Sequence, residues 1–204
     1  MIRESRVDSN LNRLSTALGT GLVIRPPASA EDVAELEHLV GPLPREYAIF
    51  LVTCNGLRVR TAAMKNVADW HLWHSQEIVA SILNPPGPNT PSGLLPFCGD
   101  LTGIRDCLVT GHGLAEGAVV RWDPWAPGVE LLTSSFGHYL HRWTDYMIGR
   151  FAKPLDAVAK DGPTFDAKYI GTGDRDLLTL RDRNGVAEWL HELDHIVASG
   201  DDFE

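Results

Sequence analysis

Apolar residues recur at helical spacing in several stretches of the first 150 residues. In one stretch, Tyr47, Phe50, Leu51 and Cys54 occupy positions i, i+3, i+4 and i+7, which places them on one face of a helix. The predicted helices span about residues 10–18, 30–40, 44–54, 75–83 and 135–149. The buried stripe of the last of these helices is predicted to consist of Phe136, Leu140, Trp143 and Met147.

Local signals mark where the second and third helices begin and end. Ser29 can cap the second helix because its hydroxyl accepts a backbone N–H bond, and Gly41 ends that helix. Pro44 suits the first turn of the third helix, where a missing N–H costs nothing. Asn55-Gly56 then supplies the residues that most easily adopt the left-handed conformation at a helix end.

Shorter apolar stretches separated by glycine-rich turns predict strands. They lie at about residues 67–73, 94–98, 105–110 and 117–123, and the Pro- and Gly-rich residues 84–93 form a loop between the first two. Short turns between the last three strands favour an antiparallel meander. Helices first, strands next and a closing helix predict an α+β fold, with an antiparallel sheet flanked by the N-terminal helices and the closing helix.

The chain after residue 150 has a looser pattern. Leu177-Leu178-Thr179-Leu180 is predicted as a strand. The apolar stripe of a final amphipathic helix consists of Val186, Trp189, Leu190, Leu193 and Val197. We therefore expect one domain over residues 1–150, with a C-terminal helical extension over residues 151–204 that packs on it.

Charge is distributed unevenly along the 204 residues, which carry a net −9. Residues 1–150 hold 12 basic and 15 acidic side chains, a net −3, and residues 151–204 hold 6 and 12, a net −6. This balance disfavours nucleic-acid binding, because contact with phosphates needs a basic surface. An acidic surface suits either a basic partner or simple solubility.

Cysteine content and hydropathy bear on the compartment. No apolar run approaches the ~20 residues that span a bilayer, and the N-terminus lacks the apolar segment of a signal peptide. The odd number of cysteines, far apart in apolar surroundings, predicts reduced core thiols, with no cysteine-based zinc or redox site. We therefore expect a cytoplasmic protein that has no membrane association.

His191-Glu192-Leu193-Asp194-His195 matches H-E-x-x-H, in which two histidines one helical turn apart bind zinc and the glutamate activates water. A catalytic zinc site also needs a third protein ligand, and only nine residues follow His195. His191 and His195 also lie opposite the apolar stripe of the predicted helix. The expected outcome is a solvated helix face without metal, and a zinc-dependent hydrolase using His191, Glu192 and His195 is the alternative.

Two aromatic clusters offer candidate contact residues. In the strand that contains Trp70-His71-Leu72-Trp73-His74, alternation places His71 and Trp73 on one face. In Trp122-Asp123-Pro124-Trp125, Trp122 is expected to pack inward. Trp125 lies in a turn, where an exposed tryptophan suits an interface.

Five motifs in one order resemble the SUKH superfamily, which includes fungal Smi/Knr-type cell-wall regulators and many bacterial immunity proteins. The first two form the segment from Ser29 to Gly56, which reads S-A-E-D-V-A-E-L-E-x-L-V-G-P-L-P-x-x-Y-x-x-F-L-x-x-x-N-G. The others are L-L-P-F-C-G-D at 94–100 with Gly103 and Asp106, G-A-V-V-R-W-D at 117–123, and S-F-x-x-Y-L at 135–140. The resemblance covers about residues 28–150, although Leu57 and Ile104 depart from the family pattern.

The resemblance implies a protein that binds another protein and has no catalytic residues or cofactor. For bacterial members it implies immunity, in which the chain occludes the active site of a cognate toxin that is often a nuclease. A basic toxin surface would complement the acidic chain. The candidate contact residues are Trp125, Asp123, Asp100 and Asp106. A regulatory scaffold like the fungal members is a further alternative.

Overall fold

The computed structural model describes residues 6–60, 71–84, 91–99, 103–110, 116–123, 129–152 and 165–181. These residues form an α+β fold built on one antiparallel sheet. The strands are β1 (Leu22–Ile24), β2 (Leu57–Val59), β3 (His71–Leu72), β4 (Leu94–Gly99), β5 (Arg105–Val109), β6 (Val119–Trp122) and β7 (Val129–Thr133). The helices are α1 (Arg6–Leu18), α2 (Ala30–Val40), α3 (Arg45–Thr53), α4 (Ser75–Leu83), α5 (Phe136–Phe151), α6 (Ala167–Ile170) and α7 (Arg175–Arg181), and a 3₁₀ turn at Gly19–Gly21 follows α1.

The sheet is a continuous meander, in which the spatial order of the strands equals their order in the chain. The predicted antiparallel arrangement of β4, β5 and β6 is confirmed, with Asp106 opposite Arg121 in the register of β5 and β6. β7 extends this meander and was not predicted, nor were the three-residue strands β1 and β2. β3 corresponds to the strand predicted at 67–73, of which residues 67–70 lie outside the described residues.

The three predicted N-terminal helices are confirmed, at α1, α2 and α3. Ser29 begins α2 with a reciprocal capping box: its Oγ accepts a hydrogen bond from the Asp32 N–H at 3.1 Å, and Asp32 Oδ2 accepts one from the Ser29 N–H at 3.0 Å. The backbone N–H and then the hydroxyl of Ser29 lower the pKa of Asp32. The helix start is thus encoded locally, which is why the sequence predicts it well.

The turn after α3 differs from the prediction for Asn55-Gly56. The helix ends before Cys54, which is extended with φ −153°, and the left-handed conformation occurs later, at Gly56 with φ +99°. A Cβ atom on Gly56 would lie 2.8 Å from the carbonyl oxygen of Leu72. Glycine is therefore required here because the backbone leading into β2 passes close to β3.

The main core lies between one face of the sheet and α1, α3 and α5, and aromatic rings dominate it. The ring of Phe136 is 4.9 Å from that of Tyr47 and 5.4 Å from that of Phe97, measured between centroids. The centroids of Phe97 and Tyr139 are 5.1 Å apart in an edge-to-face arrangement. Each of these four side chains is at most 1% exposed, so α3, β4 and α5 share one aromatic centre.

The closing helix α5 is the longest described helix, with 16 residues. Its predicted stripe is confirmed, since Phe136, Leu140, Trp143 and Met147 are all buried. Ser135 caps the helix by accepting a hydrogen bond from the His138 N–H at 3.3 Å. Over the residues that the structure describes, neither this helix nor any other is both long and apolar enough to cross a membrane.

The opposite face of the sheet carries a second apolar cluster, which includes Cys107, Val120 and Trp122. Leu177 and Leu180 of α7 complete it, so residues 165–181 pack on the rest of the fold. The strand predicted at Leu177–Leu180 is wrong. Asp174 Oδ1 accepts bonds from the N–H groups of residues 176 and 177, at 3.2 Å each, which starts a helix and brings both leucines to one face. The helix predicted over residues 186–197 lies outside the described residues.

The three cysteines, Cys54, Cys98 and Cys107, are free and buried, as the sequence predicts. Burial raises the pKa of the Cys54 thiol to about 12. Burial and the nearby charge of Asp106 also raise the pKa values of Cys98 and Cys107. All three thiols therefore remain protonated near neutral pH and act as small core side chains.

Candidate functional site

Asp106, predicted as a partner contact, lies inside the protein with 0% of its surface exposed. Its Oδ1 accepts a hydrogen bond from Arg121 Nε at 2.7 Å, and its Oδ2 accepts one from Arg121 Nη2 at 3.0 Å. The hydroxyl of Tyr139 donates to Oδ2 at 2.7 Å. The prediction of a contact role is therefore wrong, because every bond to this carboxylate comes from buried or mostly buried side chains.

The electrostatics of this Asp106–Arg121–Tyr139 network keep Arg121 charged and Tyr139 protonated. Burial favours neutral Arg121, but the charge of Asp106 and its hydrogen bonds together outweigh burial and raise the pKa of the guanidinium. Burial and then the negative charge of Asp106 raise the pKa of Tyr139 well above its usual value, so the hydroxyl stays a donor. Arg121 Nη1 also donates to the carbonyl oxygen of Phe165 at 3.1 Å. The network thus connects β5, β6 and α5 to the segment before α6.

The other predicted contact residues have different outcomes. Asp123 is half-buried at the end of β6 and makes interactions of its own. Trp125 and Asp100 lie outside the described residues. The inward packing of Trp122 is confirmed, since it is 1% exposed and the guanidinium carbon of Arg105 lies 5.1 Å from its ring centroid.

His71, His74 and Glu77 form a second charged cluster, near the start of α4. Glu77 Oε2 accepts a hydrogen bond from the His74 N–H at 3.0 Å, and Nε2 of His71 lies 3.5 Å from Glu77 Oε1. Burial raises the pKa of Glu77, but hydrogen bonds and charges from the two histidines outweigh burial and lower it to about 2. Within the described part of the chain, no group of three or more His, Cys, Asp or Glu side chains could hold a metal ion.

Asn55 connects this cluster to the turn after α3, a role that the sequence reading did not predict. Its Nδ2 donates to Ser75 Oγ at 2.9 Å, and its Oδ1 accepts from the Ser75 N–H at 2.8 Å. Ser75 is 1% exposed, so Asn55 satisfies a buried donor in the first turn of α4. The cue in the sequence is Asn55 itself, whose amide can both donate and accept.

One surface of the molecule combines exposed apolar and acidic side chains. Val52 of α3 is 57% exposed and Ile24 of β1 is 42% exposed. Backbone bonds hold the Pro26-Pro27 segment beside the end of α3, with the Ala28 N–H donating to the Leu51 oxygen at 2.8 Å and the Asn55 N–H to the Pro26 oxygen at 3.2 Å. We name the surface that consists of Ile24, Pro26, Pro27, Glu31 and Val52 the α2–α3 surface.

The sequence contains a signal for this surface that the interpretation above did not use. Val52 is apolar but lies off the stripe of Tyr47, Phe50, Leu51 and Cys54. A helix buries its stripe, so an apolar residue beside the stripe faces solvent or a partner. The proline pair and Glu31, the second residue of α2, are also exposed.

The H-E-x-x-H motif of His191, Glu192 and His195 lies outside the described residues. The predicted absence of zinc at this motif stays a prediction.

Neither a scan against models of protein families nor a search of curated proteins finds a match to this chain. The SUKH resemblance therefore stays an interpretation of the motifs.

Proposed function

We propose that this chain is a non-catalytic immunity protein that binds a cognate toxin and covers its active site. The observation that carries the proposal is the shared aromatic centre. Tyr47, Phe97, Phe136 and Tyr139 come from three of the motifs that resemble the SUKH superfamily, yet their rings form one cluster. Motif residues that meet in one core support a common fold, and with it the binding function that the resemblance implies.

The α2–α3 surface has the composition expected of a binding site. Interfaces have an apolar centre surrounded by polar and charged residues. Val52, Ile24 and the two prolines supply apolar area, and α2 also carries the exposed acidic residues Glu31, Glu35 and Glu37. We therefore propose that this surface contacts the toxin, together with Asp123, Trp125 and Asp100.

The charge of the chain supports a basic partner. A toxin that acts on nucleic acid has a basic active site, because its substrate carries phosphates. A protein with a net charge of −9 attracts such a site over a long range and accelerates the encounter. In this proposal the carboxylates of α2 guide the toxin, and the apolar residues hold it after contact.

The experiment uses the protein encoded beside this gene as the candidate toxin. It is expressed with and without the full chain, and cell survival and complex formation are measured. The informative variant is Val52→Asp, which places a charge at an apolar side chain of the α2–α3 surface that is 57% exposed. Leu83→Asp is the matched control, because Leu83 is 58% exposed but lies at the end of α4.

We expect rescue and a stable complex with the unaltered chain and with Leu83→Asp. Val52→Asp should weaken the complex at least tenfold, because a charge in an apolar contact is desolvated without a partner. Equal binding by both variants would remove the α2–α3 surface from the proposal. A lack of both rescue and complex formation with every adjacent gene product would remove the immunity function itself.

A further inference from the structure

A cleft of about 440 Å³ lies between α1 and the first two turns of α5. Its lining residues are Arg6, Ser9, Asn10, Arg13, Gly137, His138 and His141. The four residues from α1 follow the i, i+3, i+4, i+7 spacing, so they occupy one face of that helix. Two rigid elements therefore form the walls of the cleft.

The lining is cationic, although the whole chain is acidic. The seven residues include two arginines and two histidines, and none of them is Asp or Glu. The Arg6 side chain is exposed and has no hydrogen-bond or ionic partner within the described ranges. A positive concave surface of this kind concentrates anions, even on a protein of opposite net charge.

Arg13 is held in position by Asp145, which is outside the lining, and by two of the lining residues. Its Nη2 donates to Asp145 Oδ1 at 2.5 Å, and its Nη1 lies 3.1 Å from His141 Nδ1 and 3.3 Å from Asn10 Oδ1. The Arg13 side chain nevertheless remains 40% exposed. Its guanidinium can therefore receive a ligand without first becoming ordered, which lowers the entropic cost of binding.

The backbone at the start of α5 is already satisfied and does not supply the site. The Gly137 N–H donates to Glu46 Oε2 at 2.9 Å, and the His138 N–H donates to the Ser135 hydroxyl. Any anion in the cleft would thus be bound by side chains. Arg6, Arg13, Ser9 and the imidazole of His138 are the groups with donors to offer, because both ring nitrogens of His141 face Arg13 and Asp145.

We propose that this cleft binds a small molecule through a phosphoryl group. A guanidinium fork matches phosphate oxygens in pairs, and two arginines with the imidazole of His138 offer more donors than a single carboxylate can accept. The volume lies within the range of small-molecule sites and exceeds what one inorganic phosphate fills. This site is independent of the toxin-binding surface proposed above.

The carboxylate of Asp145 lies beside His141, with Oδ2 3.5 Å from Nε2. Burial lowers the pKa of His141, the neighbouring Asp145 raises it, and Arg13, His138 and Arg142 lower it further. The net effect favours the neutral imidazole near pH 7. A bound dianion would reverse this balance and favour the protonated ring as a further donor.

The test measures binding to the full chain by calorimetry at fixed ionic strength and without divalent metal. The probes are inorganic pyrophosphate and ADP, and adenosine is the control for the base and sugar. Arg6→Gln removes the arginine for which the described residues offer no partner. Arg25→Gln is the matched control, because it removes one exposed arginine from the segment after β1, outside the lining.

We expect pyrophosphate and ADP to bind and adenosine not to bind. Arg6→Gln should weaken binding about tenfold or more, the effect of losing one charge-assisted contact, and Arg25→Gln less than twofold. Tighter binding of ADP than of pyrophosphate would identify a nucleotide as the source of the phosphoryl group, and equal affinities would identify a free phosphate compound. Either result supports the site.

Three results would overturn the proposal. One is no binding of either phosphate probe at millimolar concentration. Another is equal weakening by Arg6→Gln and Arg25→Gln, which would indicate general attraction to positive charge. The third is binding that Arg6→Gln leaves unchanged, which would place the anion elsewhere. Thermal unfolding of both variants checks that each remains folded.

Discussion

The Asp106–Arg121–Tyr139 network and the His71–His74–Glu77 cluster both pair a carboxylate with basic side chains, but they differ in burial. Asp106 is fully buried, whereas the side chain of Glu77 is 37% exposed. In the buried network, loss of one partner leaves a charge that water cannot reach and solvate. In the more exposed cluster, water solvates the remaining group and offsets much of the lost interaction energy. The comparison shows that burial decides whether a charged pair supports the fold.

The largest effect is expected for Asp106→Ala. This change leaves the guanidinium of Arg121 mostly buried without its carboxylate, so the free energy of unfolding should fall by about 3–5 kcal/mol. Denaturant unfolding measures the loss. The double variant Asp106→Leu/Arg121→Met should lose less than Asp106→Leu alone, because it removes both charges. A loss below ~1 kcal/mol for Asp106→Ala would mean that burial does not distinguish the two regions.

Two buried tyrosines sharpen the comparison, since both are 0% exposed but only one hydroxyl is bonded to the network. Tyr139→Phe removes a hydrogen bond to the carboxyl group of Asp106 and should cost about 1.5–3 kcal/mol. Tyr47→Phe is the control, because the Tyr47 hydroxyl is buried with no hydrogen-bond partner in the described residues. It should be neutral or stabilising. Equal losses in the two variants would contradict this assignment.

Asn55→Ala tests the buried hydrogen bonds between Asn55 and Ser75, two uncharged residues next to the His71–His74–Glu77 cluster. It leaves the Ser75 N–H without an acceptor, so we expect a loss of about 1–2 kcal/mol, between the effects in the two charged regions. Asn84→Ala is the control at an exposed position and should stay within about 0.5 kcal/mol of the unaltered chain. Identical melting curves for the two variants would show that the Asn55 bonds do not stabilise α4.

Glu77→Gln should have the smallest effect, and the effect should depend on pH. The pKa of Glu77 is lowered from 4.5 to about 2, so the ionised carboxylate favours the folded state. This contribution is present above pH 4.5 and is lost as the pH falls to about 2. Because the side chain is more than one third exposed, screening limits it to about 0.2–1 kcal/mol at pH 7.

The measurement for Glu77 compares the unfolding free energies of the variant and the unaltered chain at pH 7 and pH 3. Their difference should be larger at pH 7. Glu35→Gln, an exposed change on α2, serves as the control for loss of one negative charge. A difference that grows as the pH falls would mean that the histidines do not hold this carboxylate in its ionised form.

The sequence predicted the helices best, because their signals are local. The Ser29 cap, and the stripes of α3 and α5, depend on residues only a few positions apart. The strands β1, β2 and β7 were missed because short strands are fixed by their neighbours and not by their own pattern. The Leu177–Leu180 segment was assigned to a strand because the effect of Asp174 on the following N–H groups was not considered.

The role of Asp106 could have been found only by pairing two strands. The family resemblance makes Asp106 a candidate contact residue, whereas the observed register places Asp106 opposite Arg121, fifteen positions later. Opposite charges at matching positions of two neighbouring predicted strands would have indicated this cross-strand ion pair. The cleft between α1 and α5 had no comparable signal, because it depends on two helices more than a hundred residues apart.

The burial of all three cysteines has a practical consequence for measuring these interactions. Thiol-directed dyes react with the thiolate, and the buried, protonated thiols of Cys54, Cys98 and Cys107 offer almost none. A Val52→Cys variant would place one reactive thiol at a position that is 57% exposed. A single fluorophore could thus be attached to the α2–α3 surface, and its emission could follow a partner's arrival while every natural cysteine is kept.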